Sequence, residues 1–357
     1  DAAVALGFSL AVTLPRAGNL GGGGFMLIYL EDSKEIIAID FRGQSPSKLG
    51  IDQIFGVELP KDYEKANKDI VRYGYKASTI PGTVSGLILA HSKYGKLPLK
   101  EVMKPAIEQA KQGIRVTYDL EQAILSAPQL SWDKESNEIY FQNGSPLKIE
   151  TLMKRPDLAK TMELISENGA AGFYEGEVAE KIASAMSKNG GAITTDDLRR
   201  YQARFSKPIG VNYRGNKIFT HGPPSGGGIV LLTALKVLEY FDLSKIGNNA
   251  ALTYHLLAEA LRRGHNNRSH HVGDPSFYDV PFDELMSEKR IKSFAKSISL
   301  KKASRAKEVM PLNIIQESKN TTHYSIIDDD GNLVSTTYTL GYSFGSGVTI
   351  PGTGILM

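Results

Sequence analysis

The strongest constraint on this 357-residue chain is the distance between its strand-like segments. Near the start, "GNLGGGGFMLIYLED" and "EIIAIDFR" read as two strands paired around a turn at 31–34. Near the other end, "TTHYSIIDDDGNLVSTTYTL" reads as two more, at 322–327 and 333–340, around the turn Asp328-Asp329-Asp330-Gly331-Asn332. Asp-Gly supplies the positive-φ corner that such a hairpin needs. Most of what lies between follows a helical period. Strands at both ends with helices in the middle predict an α+β layered sandwich whose sheet joins regions far apart in sequence.

Local signals fill in the rest. Residues 2–14 are apolar on nearly every side, which predicts a buried helix. Val84, Leu87, Ile88 and His91 share one helical face. "LPLKEVMKPAIEQAKQG" predicts a helix with Pro105 in its early turns and Gly113 as its stop. Thr194-Thr195-Asp196-Asp197 is an N-cap signal. "PIGVNYRGNKIFTHGPP" reads as strand, Arg-Gly turn, strand, and "SGGGIVLLTALKVLEYFDL" and "ALTYHLLAEALRRGHNNRS" as helices. Residues 43–75 are irregular and polar, with "ELPKDYEKANKD" reading as a loop or mobile insertion.

Composition excludes several function classes. Charges nearly balance, 42 Lys plus Arg against 39 Asp plus Glu, so neither nucleic acid nor an anionic membrane is implied as partner. Cysteine is absent, which removes disulfides, thiolate zinc sites and a cysteine nucleophile. No apolar run approaches the roughly 20 residues that span a bilayer. The chain starts within a small-residue helix and stops at "PGTGILM" as an apolar strand begins, so it reads as a fragment cut at both ends.

Four features could carry chemistry. The glycine run 21–24 lacks the Lys-Ser/Thr of a phosphate loop and contains no G-x-G-x-x-G; a close-packed turn into a strand explains it. His265, His270 and His271 gather near a helix end without metal-ligand spacing, which reads as a solvated helix end with no metal. Arg42 closes the strand "EIIAIDFR" and is either a snorkelling surface group or a carboxylate anchor. Thr321 heads the strand "TTHYSII". A threonine hydroxyl needs an adjacent base to act as a nucleophile. A cut before Thr321 would supply one, because the new α-amine sits on the same residue, and a chain-terminal amine ordinarily titrates at about 7.7–8.0. From the residues alone, a hydrogen-bonded strand threonine remains the default reading.

The same residues carry a resemblance. "TTHYSIIDDDGNLVSTTYTL" resembles the start of the small subunit of the γ-glutamyltransferases (γ-glutamyltranspeptidases, glutathione hydrolases). "DAAVALGFSLAVTLPRAGNLGGGGFMLIY", "AIDFR", "IPGTVSGLILAHSKYGKLPL", "FYEGEVAEKIASAMSKNGGAITTDDLRRY" and "PPSGGG" follow in that family's order. The resemblance implies a self-cleaving N-terminal nucleophile hydrolase with a four-layer αββα sandwich, incomplete in this chain. It implies a precursor cut between Asn320 and Thr321, with 1–320 from the large subunit and 321–357 opening the small one, the two intertwined in one domain. Thr321 then becomes the catalytic nucleophile. Thr339 matches the family's second threonine, which hydrogen-bonds the nucleophile and assists processing. Arg42 matches the arginine that grips the substrate's α-carboxylate.

The implied reaction passes the γ-glutamyl group of glutathione, or of another γ-glutamyl amide, through a threonyl ester to water or to an amino acid or dipeptide acceptor, without a cofactor. A periplasmic or secreted location is implied by the relatives. A related amidase, such as a cephalosporin acylase or a poly-γ-glutamate-processing enzyme, and a non-catalytic binding relative are the alternatives. The chain departs from the family pattern at three places. Gly43 follows Arg42 where "DFREMAP" is usual, Gly341 stands for an asparagine, and Gly226 stands for a serine. The family's acidic "DDF" segment, paired serines and glycine pair, which hold the substrate amine and build the oxyanion hole, are not within residues 1–357.

Overall fold

The computed structural model describes residues 1–50, 72–305, 309 and 321–357. The segment "ELPKDYEKANKD" and Asn320 lie outside the described residues. Two compact units are present: Asp1–Glu35, Ile39–Phe205 and Ser318–Met357 form the first, and Ile36–Ala38 with Ser206–Glu317 the second.

In chain order, the first unit opens with helix α1 (Ala2–Thr13), strand β1 (Gly23–Leu30) and strand β2 (Glu35–Phe41). Helices α2 (Thr83–Tyr94), α3 (Leu99–Gln112), α4 (Pro156–Asn168), α5 (Gly176–Lys188) and α6 (Thr195–Arg200) follow, then strand β3 (Arg204–Ser206). The second unit holds strands β4 (Ile209–Tyr213) and β5 (Asn216–Thr220) and helices α7 (Gly226–Leu238), α8 (Ala251–His271) and α9 (Glu288–Lys296). Strands β6 (Thr322–Ile327) and β7 (Leu333–Thr339) return to the first unit, and a short antiparallel pair, Thr349–Ile350 with Ile355–Leu356, follows them.

A five-stranded sheet runs in the order β6-β7-β1-β2-β3. Strand β7 is antiparallel to both its neighbours, so the last hairpin is built directly onto the first. The expected α+β arrangement, with one sheet joining the two ends of the chain, is what forms. Both hairpin turns are where the sequence puts them; Gly331 takes φ 86°, and Asn332 N–H donates to Asp328 Oδ1 at 2.8 Å.

Helix α1 covers one face of this sheet. Its Ala3, Val4, Gly7, Phe8, Ala11 and Val12 are buried, as its apolar circumference predicts. Two strand tyrosines reach up to it: Tyr324 donates to Ala3 O at 2.8 Å and Tyr338 to Gly7 O at 2.9 Å. These bonds pin the register of β6 and β7. Side chains alternate along a strand, and a slip of one residue would exchange the faces. With Thr322, Tyr324, Thr336 and Tyr338 buried beneath the helix, Thr321, His323, Thr337 and Thr339 point to the opposite face.

The second unit is built from local rules. Arg214 and Gly215 take φ 50° and 86°, the two positive values a two-residue hairpin requires, and join β4 to β5. Helices α7, α8 and α9 share a core of Ala234, Val237, Leu256, Ala260 and Ile291. Buried within α8, Glu259 and Arg263 pair at 2.6 Å, one helical turn apart.

Candidate active site

The glycine run 21–24 brings the candidate residues together. In the ladder Gly23 sits opposite Thr339, and Thr322 opposite Tyr338, so the same register sets Thr321 across from Thr339. On its other side Gly23 lies against the end of β2. A Cβ there would fall 2.5 Å from Phe41 O, 2.5 Å from Gly43 N and 3.0 Å from Arg42 C. A Cβ at Gly22 would fall 2.1 Å from Thr339 O. Any side chain at these positions would force the strands apart, so the run is the close-packed turn expected of it. Asn19 Oδ1 fastens it by accepting Gly22 N–H at 2.7 Å and the Thr83 hydroxyl at 2.8 Å.

Thr321, Thr339, Gly23 and Arg42 therefore form a row across one end of the sheet. They come from the start of β6, the end of β7, the start of β1 and the end of β2. Neighbouring strands are about 4.8 Å apart, so three steps place Arg42 about 14 Å from Thr321 along the backbone. Thr321 and Arg42 are both exposed. Thr339 is half-buried, and its hydroxyl oxygen accepts Gly341 N–H at 2.9 Å. A hydroxyl that accepts there still has a proton to donate. One rung below, His323 Nδ1 meets Thr337 Oγ1 at 2.7 Å and His323 Nε2 meets Ser325 Oγ at 3.1 Å, so the outward face of β6 and β7 is polar near Thr321, and the exposed pair Ile327 and Leu333 lies at its far end.

The backbone of Arg42 is held at both its peptide groups. Its N–H donates to Asp40 Oδ1 at 3.0 Å, and its carbonyl accepts the Tyr201 hydroxyl at 2.8 Å. Asp40 is buried, and its Oδ2 receives Arg204 Nε at 3.2 Å and Nη2 at 3.0 Å. Burial, then the neighbouring Asp40, drives the Tyr201 hydroxyl well above the usual tyrosine range, so it stays a proton donor. Neither Asp40 nor Tyr201 was singled out from the sequence. Tyr201 carried one local signal, its place just after the capped helix α6.

His270 and His271 lie in the last turn of α8, whereas His265 lies more than a turn earlier and is half-buried, so only His270 is an exposed helix-end group. Arg290 Nη2 donates to His271 Nε2 at 3.0 Å, and His270 Nδ1 donates to Asn266 O at 2.9 Å. Desolvation, then Arg290, lowers the His271 pKa. Among the described residues no three of His, Cys, Asp or Glu gather in a way that could hold a metal. Nor, among them, is any helix long and apolar enough to cross a membrane.

The whole chain, residues 1–357, matches the family model described as Gamma-glutamyltranspeptidase. The chain belongs to the γ-glutamyltranspeptidase family. It is 41% identical over 360 residues to a glutathione hydrolase proenzyme of Escherichia coli (strain K12), covering 100% of this chain and 61% of that relative. It is 32% identical to the acylase ACY 1 proenzyme of a Pseudomonas strain, covering 100% of this chain and 63% of that one. The chain thus spans about 61% of the length of the glutathione hydrolase proenzymes of Escherichia coli and of Pseudomonas sp. (strain A14). Among solved structures it is similar to the Helicobacter pylori γ-glutamyltranspeptidase, with TM-score 0.81 and 36% identity over 86% of each chain. It is also similar to the cephalosporin acylase of Bacillus halodurans, with TM-score 0.85 and 25% identity over 99% of this chain and 63% of that one. These neighbours carry the N-terminal nucleophile hydrolase fold that the sequence motifs imply.

The three departures from the γ-glutamyltranspeptidase pattern have distinct settings. At Gly43 a Cβ would fall 2.3 Å from Thr79 Oγ1, so the threonine occupies the space of a side chain. At Gly226 it would fall 2.3 Å from Arg268 Nε. At Gly341 nothing lies within 4 Å, and φ is +91°.

Proposed function

We propose that this protein is a γ-glutamyltransferase and glutathione hydrolase that matures by cutting itself between Asn320 and Thr321. The observation that carries this reading is the row of Thr321, Thr339 and Arg42 at one end of the sheet, in a chain whose relatives are named glutathione hydrolase proenzymes. In maturation, Thr321 Oγ attacks the carbonyl carbon of the preceding peptide. The C–N bond breaks, the nitrogen takes a proton to become the α-amine, and water opens the ester left behind. Thr339 orients the Thr321 hydroxyl for both this step and turnover.

In turnover the Thr321 amine takes the hydroxyl proton as Oγ adds to the γ-carbonyl of glutathione or another γ-glutamyl amide. Collapse expels the amine, which receives that proton. Water, or the amine of an amino acid or dipeptide, then takes the γ-glutamyl group from the ester. Arg42 holds the donor's α-carboxylate through two parallel bonds. The working unit is a large and a small subunit from one precursor, in the periplasm or outside the cell.

A pair of anilides tests the reading. The protein as encoded should hydrolyse a γ-glutamyl anilide and leave the analogue without the α-carboxylate nearly untouched. Arg42→Lys keeps the charge and loses the two-pronged geometry, so KM for the γ-glutamyl anilide should rise about tenfold, the worth of roughly one charge-assisted bond. Equal rates on the two anilides would favour a different amide substrate. Self-cleavage with no turnover of either would favour a binding relative.

A further inference from the structure

Arg42 stands at the end of β2, where ladder hydrogen bonds run out, yet its two peptide groups are held by buried side chains. Tyr201 holds the carbonyl and Asp40 the N–H. Tyr201 is itself fixed. Its ring stacks on Tyr174 with centroids 5.7 Å apart and planes 15° from parallel. The Tyr174 hydroxyl donates to Pro81 O at 2.8 Å and accepts Ser85 N–H at 3.2 Å. Gly82 leaves room for the clamp, since a Cβ there would fall 2.2 Å from the Tyr201 hydroxyl and 2.0 Å from Phe41 O.

The short helix just before Tyr201 makes a second attachment. Asp197 of α6 accepts Ser47 N–H at 3.1 Å, so the segment from Arg42 to Ser47 is tied at one end to α6 and at the other to the residue that follows it. Helix α6 is in turn locked by a capping box between Thr194 and Asp197. An exposed guanidinium on a loose strand end would sample many directions. One whose φ and ψ are set by hydrogen bonds on both sides loses less entropy on meeting a carboxylate.

We propose that Tyr201 is a positioning residue for γ-glutamyl substrates, holding the Arg42 backbone so that the guanidinium presents its fork to the α-carboxylate. This rests on the reading of Arg42 given under the proposed function. Tyr201→Phe keeps the stacked ring and deletes one hydroxyl. In the protein as encoded it should raise KM for the γ-glutamyl anilide about fivefold to tenfold, the worth of one hydrogen bond whose acceptor is left unpaired. The kcat and the extent of self-cleavage should stay within about twofold of wild type, because the hydroxyl touches neither Thr321 nor the reacting carbonyl.

A double-mutant cycle separates positioning from general support. In an Arg42→Ala background, adding Tyr201→Phe should lower kcat/KM no further. An equal loss with and without Arg42 would make Tyr201 a structural support and overturn the proposal. An unchanged KM in Tyr201→Phe, beside a raised KM in Arg42→Ala, would overturn this proposal alone. An unchanged KM in Arg42→Ala would overturn the reading of Arg42 and this proposal with it.

Discussion

Gly43 and Gly341 flank the candidate site and differ in what surrounds them. Around Gly341 there is open space, but φ of +91° favours glycine, so the family's asparagine would have room there at a strained backbone. Around Gly43 there is none, with Thr79 Oγ1 at 2.3 Å, Thr79 Cβ at 3.1 Å and Ile80 O at 3.2 Å from a Cβ. Gly43→Ala should therefore destabilise the protein by about 1 kcal/mol, because the exposed Thr79 side chain has to give way. Thr79→Ala in the same chain removes the close Oγ1 without loosening the backbone and should recover most of that loss. Thermal melts of the two single variants and the double variant check it; an equal penalty with and without Thr79 would show that the neighbour is not the cause. Position 43 was legible in the sequence as a departure, but the threonine that fills its space, 36 positions away, was not. Such a substitution pair is defined by a close approach that no local pattern encodes.

Helix α6 is short, yet it ties the Arg42 segment down, and its hold depends on one carboxylate. Asp197 accepts the Thr194 N–H at 2.9 Å, the Thr194 hydroxyl at 2.7 Å and the Ser47 N–H at 3.1 Å. Burial alone would raise its pKa, but the bonds from Ser47 and Thr194 outweigh burial and leave it below the ordinary aspartate value of 3.8. The sign follows from linkage. A carboxyl with a depressed folded pKa contributes stability above its unfolded pKa and loses it as pH falls through the folded one. Asp197→Asn should lower Tm at neutral pH, and the gap to wild type should close as pH falls below 3.8, read by melts across that range. A gap that stayed constant with pH would mean that the charge of Asp197 is not what holds the helix. This cap was legible, because Thr-x-x-Asp ahead of an apolar position has one geometric meaning. The Tyr201 hydroxyl on Arg42 O and the Arg204 guanidinium on Asp40 were not, since they join residues 159 and 164 positions apart with no periodicity between them.

At the scale of the whole molecule, the sheet explains how one chain could be cut and remain assembled. Strand β7 is paired with β1 from Gly23 opposite Thr339 to Tyr29 opposite Leu333, and Tyr324 and Tyr338 are bonded into α1. A break before Thr321 leaves every one of these interactions intact, so the two products should stay together. The joining of the chain's two ends was legible from the strand patterns; the rung that aligns Thr321, Thr339 and Gly23 required the ladder itself. In the proposed maturation, Thr321 turns from a strand residue into a nucleophile by freeing its own amine. N-terminal sequencing, with intact mass, of the protein as encoded and of Thr321→Ala tests it most directly. Wild type should yield two chains, the smaller beginning Thr-Thr-His-Tyr-Ser, and Thr321→Ala one intact chain. A smaller chain that begins elsewhere, or clean cleavage in the alanine variant, would contradict it.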